Sequence, residues 1–232
     1  MKSPFLIAVV VVTAALLAFG LYQALVVAPT EQTMGDVQRI FYYHVPSAWT
    51  AFLLFFINLI ASIWYLIGRS GKADALAVAA AEVGVVFCTV VLITGPIWAR
   101  PVWGIWWTWD VRLTSTLVLW LVYVSYLMLR RFSAGGQTPL LAAVLAVFGF
   151  AVVPFVYLSI RFFRTQHPQP VIGGGGSLDP AMWHAVLWNW LAFLAFAGLL
   201  CWLRYNLERK QREIDDTLSR LEALMEGAGG QK

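Results

Sequence analysis

The chain has 232 residues, of which 60% are hydrophobic and 12% charged, with a mean hydropathy of +0.74 and a formal net charge of +4. Those proportions lie outside the range of ordinary soluble domains and make the lipid bilayer the solvent that the fold must satisfy. The positive charge gives no support to nucleic-acid binding, because the basic residues sort by membrane side. A helix crosses the hydrocarbon with about 20 mostly apolar residues, and six runs of that kind follow one another. Phe5 to Val27 and Trp49 to Ile67 are uncharged. The first is far longer than a signal-peptide core and is expected to be retained. The third run, Ala75 to Trp98, contains one acid, Glu82. The fourth, Ser115 to Leu129, is short unless flanking residues contribute. Leu140 to Leu158 carries Pro154, and Ala181 to Leu203 carries Trp183, Trp188, Trp190 and Trp202. The expected fold is all-α, a polytopic membrane protein of six transmembrane helices.

Orientation follows from the basic residues, which concentrate in cytoplasmic loops. Lys2, Arg69, Lys72, Arg130, Arg131, Arg204, Arg209, Lys210, Arg212 and Arg220 fall on one side, and Arg39, Arg100, Arg112, Arg161 and Arg164 on the other. The first side is expected to be cytoplasmic, with both termini on it. Cys88 and Cys201 sit at different depths and are expected to remain unpaired. No C-x-x-C-H haem-attachment motif is present. The glycine run Gly173 to Gly176 lacks the Lys and Ser/Thr of a phosphate loop, so it reads as a flexible loop and nucleotide chemistry is not expected.

The outer loops carry the unusual chemistry. Trp98, Trp103, Trp106, Trp107 and Trp109 crowd a dozen residues. Two readings compete: an interfacial aromatic belt, which enriches Trp at membrane surfaces, and a stacking platform for a flat apolar ligand. If the segment is helical, Trp103, Trp106, Trp107 and Asp110 share one face by their i, i+3, i+4, i+7 spacing. The three histidines, His44, His167 and His184, all fall on this outer side. Asp179 and Pro180 read as the cap and first residue of a helix that holds His184 one turn in. His44 precedes Pro46, which disfavours helix through Val45. His167 lies in the long glycine-containing loop and ranks as a spectator.

The string Trp-Gly-x-Trp-Trp-x-Trp-Asp-x-Arg-Leu-Thr, residues 103–114, resembles the signature of the WWD family of haem-handling proteins in cytochrome c maturation. In size and span number the chain is similar to its small six-span CcmC branch, over nearly the whole length, whereas the lyase component CcmF and the system II synthetase are much longer. The resemblance implies that haem b lies over Trp103, Trp106, Trp107 and Trp109 at the periplasmic face of the bacterial inner membrane. By the same resemblance, His44 and His184 ligate the iron, and Arg39 and Arg112 pair with the propionates. Asp110 either orients an indole N–H or Arg112, or meets a partner. Function would be presentation of haem to the chaperone CcmE beside CcmD and the ABC transporter subunits CcmA and CcmB, a non-enzymatic role. On this reading residues 1–204 form the transmembrane haem-handling domain, with the WWD segment at 98–114, and residues 205–232 form a cytoplasmic helical tail.

Two alternatives belong to other classes. A transporter conducting haem through its own spans would use in-span polar groups, of which Glu82, Asn58, Asn189 and Gln23 are the conspicuous ones. A scaffold for the ABC pair would use the aromatic loops for docking. In the tail, Ile214, Leu218, Leu221 and Met225 recur at four- and three-residue spacing. That stripe is expected to be covered by another subunit or by the chain's own cytoplasmic loops.

Overall fold

The computed structural model describes residues 4–133, 136–169 and 178–229, with side chains of the last helix described to residue 226. Lys2 and the Gly173 to Gly176 run lie outside the described residues. The fold is 85% helical and has no strands among the described residues. Helix α1 (Pro4–Tyr22) ends in a wide turn over Gln23–Val27, and a tight 3₁₀ turn, Asp36–Ile40, leads into α2 (Phe41–Gly68). Then follow α3 (Gly71–Trp103), α4 (Val111–Phe132), α5 (Thr138–Gly149), α6 (Val152–Phe162) and α7 (Pro180–Gly229). With α5 and α6 counted as one broken crossing, six stretches are long and apolar enough to span a bilayer, as the sequence predicts.

Three details differ from the sequence expectation. Pro46 does not end a helix: α2 begins at Phe41 and runs through it. Ile40 is already in the right-handed helical region, so Pro46 costs one backbone bond inside an established helix, which membrane helices tolerate. His44 is therefore held on a helix. The fourth span gains residues at both ends, because Asp110 caps it and it continues to Phe132. The fifth breaks at Phe150–Ala151. Pro154 has no N–H for the Phe150 carbonyl four residues back, and that carbonyl accepts the Val153 N–H at 2.9 Å instead.

Small residues let the helices close. Ala73, Ala75, Ala77, Ala79, Ala80 and Ala81 of α3 are all buried, the pattern by which membrane helices approach without a hydrophobic driving force. At Gly84 an added Cβ would sit 2.7 Å from Cε1 of Phe55. Phe55 stacks on Tyr123 with ring centroids 3.7 Å apart, joining α2 to α4. Cys88 and Cys201 are both free.

Asn58, Asn189, Glu82 and Asp74 are tied to neighbouring elements, whereas the buried hydroxyls of Ser47, Thr50 and Ser62 meet no partner among the described residues. Asn58 Nδ2 donates to the Ala77 carbonyl at 2.8 Å, and Asn189 Nδ2 to those of Gly20 at 3.0 Å and Ala185 at 2.8 Å. Glu82 pairs with Arg204 of α7, whose Nη2 donates to Oε1 at 2.7 Å and whose Nε donates to Oε2. Asp74 receives both Nη1 and Nη2 of Arg130 at 2.7 Å and Nη2 of Arg212 at 2.6 Å. Helix α7 runs unbroken through the 204/205 boundary for 50 residues, roughly 75 Å of rise. Beyond Arg212 its stripe of Ile214, Leu218, Leu221 and Met225 is at least half exposed, so the described loops of the chain do not cover it.

The Asp74 side chain is only 2% exposed, and removing one partner of a buried charge cluster costs about 3–5 kcal/mol. Asp74→Ala is expected to lower Tm in detergent strongly. Glu213→Ala, which breaks a 3.5 Å pair with Arg209 at a side chain 68% exposed, should leave Tm within error. Equal Tm values for the two variants would contradict the clamp.

Candidate functional site

The tryptophan segment is not one helical face. Helix α3 stops at Trp103, because Gly104 takes a left-handed conformation (φ 80°) and closes the turn with its N–H on the Arg100 carbonyl at 3.0 Å. Residues 105–110 then leave helical geometry, so the predicted 103/106/107/110 stripe does not form. Two edge-to-face pairs replace it: Trp98 with Trp103 at 5.2 Å, and Trp107 with Trp109 at 5.8 Å. Trp106 and Trp109 are 59% and 76% exposed, while the indole N–H of Trp107 is buried without an acceptor. Beside Trp109 an apolar recess of about 520 Å³ opens between α4 and the α5–α6 break, lined by Val118, Val152 and Phe155.

Asp110 closes the segment. Its Oδ1 accepts the Leu113 N–H at 2.9 Å, capping α4, and its Oδ2 accepts the hydroxyls of Thr108 at 3.1 Å and Thr165 at 2.9 Å. Thr165 Oγ1 in turn accepts the backbone N–H of His167 at 3.0 Å. One carboxylate thus ties the tryptophan loop, the start of α4 and the loop after α6 together.

This tether has a consequence for the histidines. The ring near His44 is that of His167, with centroids 6.4 Å apart and planes inclined by 37°. No ring contact joins His44 to His184 among the described residues. Asp179 caps α7 as predicted, its Oδ1 accepting the Ala181 N–H at 2.8 Å. The turn it starts buries Met182, Ala185 and Val186 and leaves His184 exposed. His44 Nδ1 lies 2.8 Å from Thr94 Oγ1 on α3, and His167 Nδ1 lies 2.8 Å from the Pro168 carbonyl. A carbonyl only accepts, so His167 carries its proton on Nδ1 and keeps the Nε2 lone pair. Burial, reinforced by the charge of Arg112, pushes His167 down to about 4.

The two arginines are engaged differently. Arg39 donates from Nη1 to the carbonyls of Ala24 at 2.6 Å and Ala28 at 3.2 Å, from Nε to Asp36 at 2.9 Å and from Nη2 to Thr30 at 3.2 Å. It staples the end of α1 to the start of α2. Arg112 uses Nη1 alone, on the carbonyls of Val156 at 2.6 Å and Tyr157 at 3.1 Å. Its Nε and Nη2 meet no acceptor among the described residues. Sequence reasoning missed Thr94, Thr165 and the place of His167; only the proximity of Thr165 to His167 in sequence hinted at any of this.

Among the described residues no group of three or more His, Cys, Asp or Glu could hold a bare metal ion. Two imidazoles suffice, however, for the axial positions of a metal already held by a macrocycle. A family model described as heme exporter protein C, CcmC, matches residues 1–220. The chain belongs to the CcmC family. Heme exporter protein C of Bradyrhizobium diazoefficiens is 38% identical over 205 residues, covering 87% of this chain and 76% of the relative. That of Escherichia coli is 33% identical over 178 residues, covering 76% and 72%. A ccmC-like mitochondrial protein of cytochrome c biosynthesis from Marchantia polymorpha is 30% identical over 197 residues, covering 84% and 82%. The CcmC family is thus one of haem handling in cytochrome c maturation, and this member is a multi-pass membrane protein of that family.

The His167 value sets a pH dependence. An unfolded chain takes up a proton near 6.5 that the folded protein refuses until about 4. The contribution of neutral His167 is therefore complete above pH 6.5 and is lost as pH falls from there toward 4. His167→Gln should flatten that acid limb of Tm against pH, and parallel curves for variant and wild type would contradict the assignment.

Proposed function

We propose that this chain holds haem b at the periplasmic face of the bacterial inner membrane and presents it to the chaperone CcmE, with His44 and His167 as axial ligands. The orientation rests on the Lys/Arg asymmetry between the two ends of the bundle. The observation that carries the reading is the 6.4 Å spacing of the two imidazole centroids beside the tryptophan segment. Two imidazoles on opposite sides of one metal, through metal–nitrogen bonds of about 2 Å, set their ring centres roughly 6 Å apart. The Pro168 carbonyl behind His167 is the kind of outer acceptor that orients a ligating histidine. His184, the ligand that the family resemblance implies, is the alternative the test must separate.

Trp103, Trp106, Trp107 and Trp109 supply stacking surface, and the unpaired Trp107 N–H supplies a donor at the same place. Arg112 suits a propionate, because two of its donor positions meet no acceptor among the described residues while the third fixes its base to α6. Arg39 has its donors committed to protein acceptors, so its contribution to a propionate is to hold the α1–α2 corner unless one donor is shared. Asp110 acts by position, setting the loop that carries His167. Haem supplies the iron and the vinyl group; the chain binds, orients and presents, a gain in fixed geometry for a later bond-forming step on the chaperone. CcmD, CcmA and CcmB are the accompanying subunits in this scheme, with lipid around the bundle. The ion pair on Glu82 and the helix-bonded Asn58 and Asn189 lend no weight to conduction of haem through the spans.

Visible spectra of the purified protein test the ligands. His44→Ala and His167→Ala should each abolish the low-spin bis-histidine spectrum, while His184→Ala retains it. Loss with His184→Ala and retention with His167→Ala would move the second ligand to α7. The platform is tested by transfer: Trp107→Ala and Trp109→Ala should reduce chaperone-bound haem several-fold more than they reduce the amount of this protein in the same membranes. A fall only in proportion to protein level would make the tryptophans a belt.

A further inference from the structure

We propose that Thr94 is a positioning residue for the haem site, holding His44 in the tautomer that leaves Nε2 unprotonated. The inference rests on the reading of His44 as a ligand and adds a device for it on a different helix. His44 is on the first turns of α2, and its Nδ1 lies 2.8 Å from Thr94 Oγ1 near the end of α3. A hydroxyl has one hydrogen and two acceptor lone pairs. Here the hydrogen has a better destination than the imidazole: the Val90 carbonyl, one turn back in α3, stands 2.7 Å from Oγ1, with that of Val91 at 3.4 Å. With its hydrogen on Val90, Oγ1 faces Nδ1 as an acceptor, so Nδ1 carries the proton and Nε2 keeps the lone pair.

The same bond fixes the ring plane against α3. Gly95, the next residue of α3, lies along the same edge of the ring, where a Cβ would stand at ordinary contact distance, 3.5 Å, from Cε1 of His44. The relay therefore runs from helix carbonyl to hydroxyl to imidazole, and it parallels the Pro168 carbonyl behind His167. Both imidazoles are thereby primed through Nδ1 by groups that no local sequence pattern marks. Donation from Nδ1 to an acceptor raises the basicity of Nε2, and loss of such an outer partner typically weakens metal binding by about 10–100-fold.

The test uses the full-length protein in detergent or nanodiscs, with haemin as the ligand. Thr94→Val, which keeps shape and removes the hydroxyl, should weaken haemin binding by about 10–100-fold and shift the reduction midpoint to a more positive value. Thr94→Ser should restore both toward wild type, a rescue that loss of packing alone would not give. Wild-type affinity and midpoint in Thr94→Val overturn the inference. Loss of binding in His44→Ala alongside an unaffected Thr94→Val would sink the role of Thr94 alone, whereas haem ligation unaltered in His44→Ala would sink the ligand reading itself. A second measurement reads the tautomer in the wild-type protein itself and does not depend on a folded Thr94 variant. In haem-free wild-type protein labelled with ¹⁵N-histidine, the His44 signals, identified by their loss in His44→Gln, should report the Nδ1–H tautomer, and an Nε2–H tautomer contradicts the proposal.

Discussion

The Asp110 carboxylate is the junction on which the end of the bundle that carries the tryptophan segment depends. Four N–H and O–H groups would otherwise compete for water or go unmet: a free amide in the first turn of α4, two threonine hydroxyls and, through Thr165, the amide of His167. Their acceptors converge on one side chain at 2.9–3.1 Å and on the hydroxyl it holds. A helix start is where backbone donors lack partners within the helix, and a carboxylate there is favoured by the local dipole as well. Because the tryptophan segment has abandoned helical geometry at Gly104, the Asp110 hydrogen bonds set where its far end joins α4. The placement of His167 near His44 is thus a remote effect of how α4 begins.

The opposite end of the bundle is organised by charge. Asp74, Glu82 and Glu208 meet Arg130, Arg204 and Arg212 where α3, α4 and α7 come together. Charges this close to hydrocarbon persist because each has a neighbour of opposite sign with geometry to match, above all the two-pronged contact of Arg130 with Asp74. Between these two ends the contacts are made mainly by small and apolar side chains, with a few hydrogen bonds such as those of Asn58 and Asn189.

Much of this was legible in the sequence. The six spans stand out because length and absence of charge are what a bilayer demands of a helix, and Asp179–Pro180 declared the start of α7. Local rules failed where the surroundings outweighed them: Pro46 lies in a helix already begun, and the tryptophan spacing suggested a face that Gly104 interrupts, although glycine after the last helical residue is itself a readable stop signal. Glu82 looked like a lone acid because its partner, Arg204, belongs to a helix far along the chain. The approach of His167 to His44 could not be read at all, since it depends on four intervening helices and on a threonine hydroxyl whose partner lies on another loop.

Helix α7 also has a mechanical meaning. From Pro180 to Gly229 it contains no break at which bending could be absorbed, so it behaves as a stiff rod. The ion pairs from Arg204 and Arg212 to α3 grip it part-way along. Any displacement of the exposed stripe at Ile214 to Met225 would be passed along the helix, because no break in it absorbs bending. Its other end carries Trp183 and Trp190, whose rings touch Trp49 on α2 five residues beyond His44, so a displacement begun at one end of α7 would end against the helix that holds an imidazole at the other.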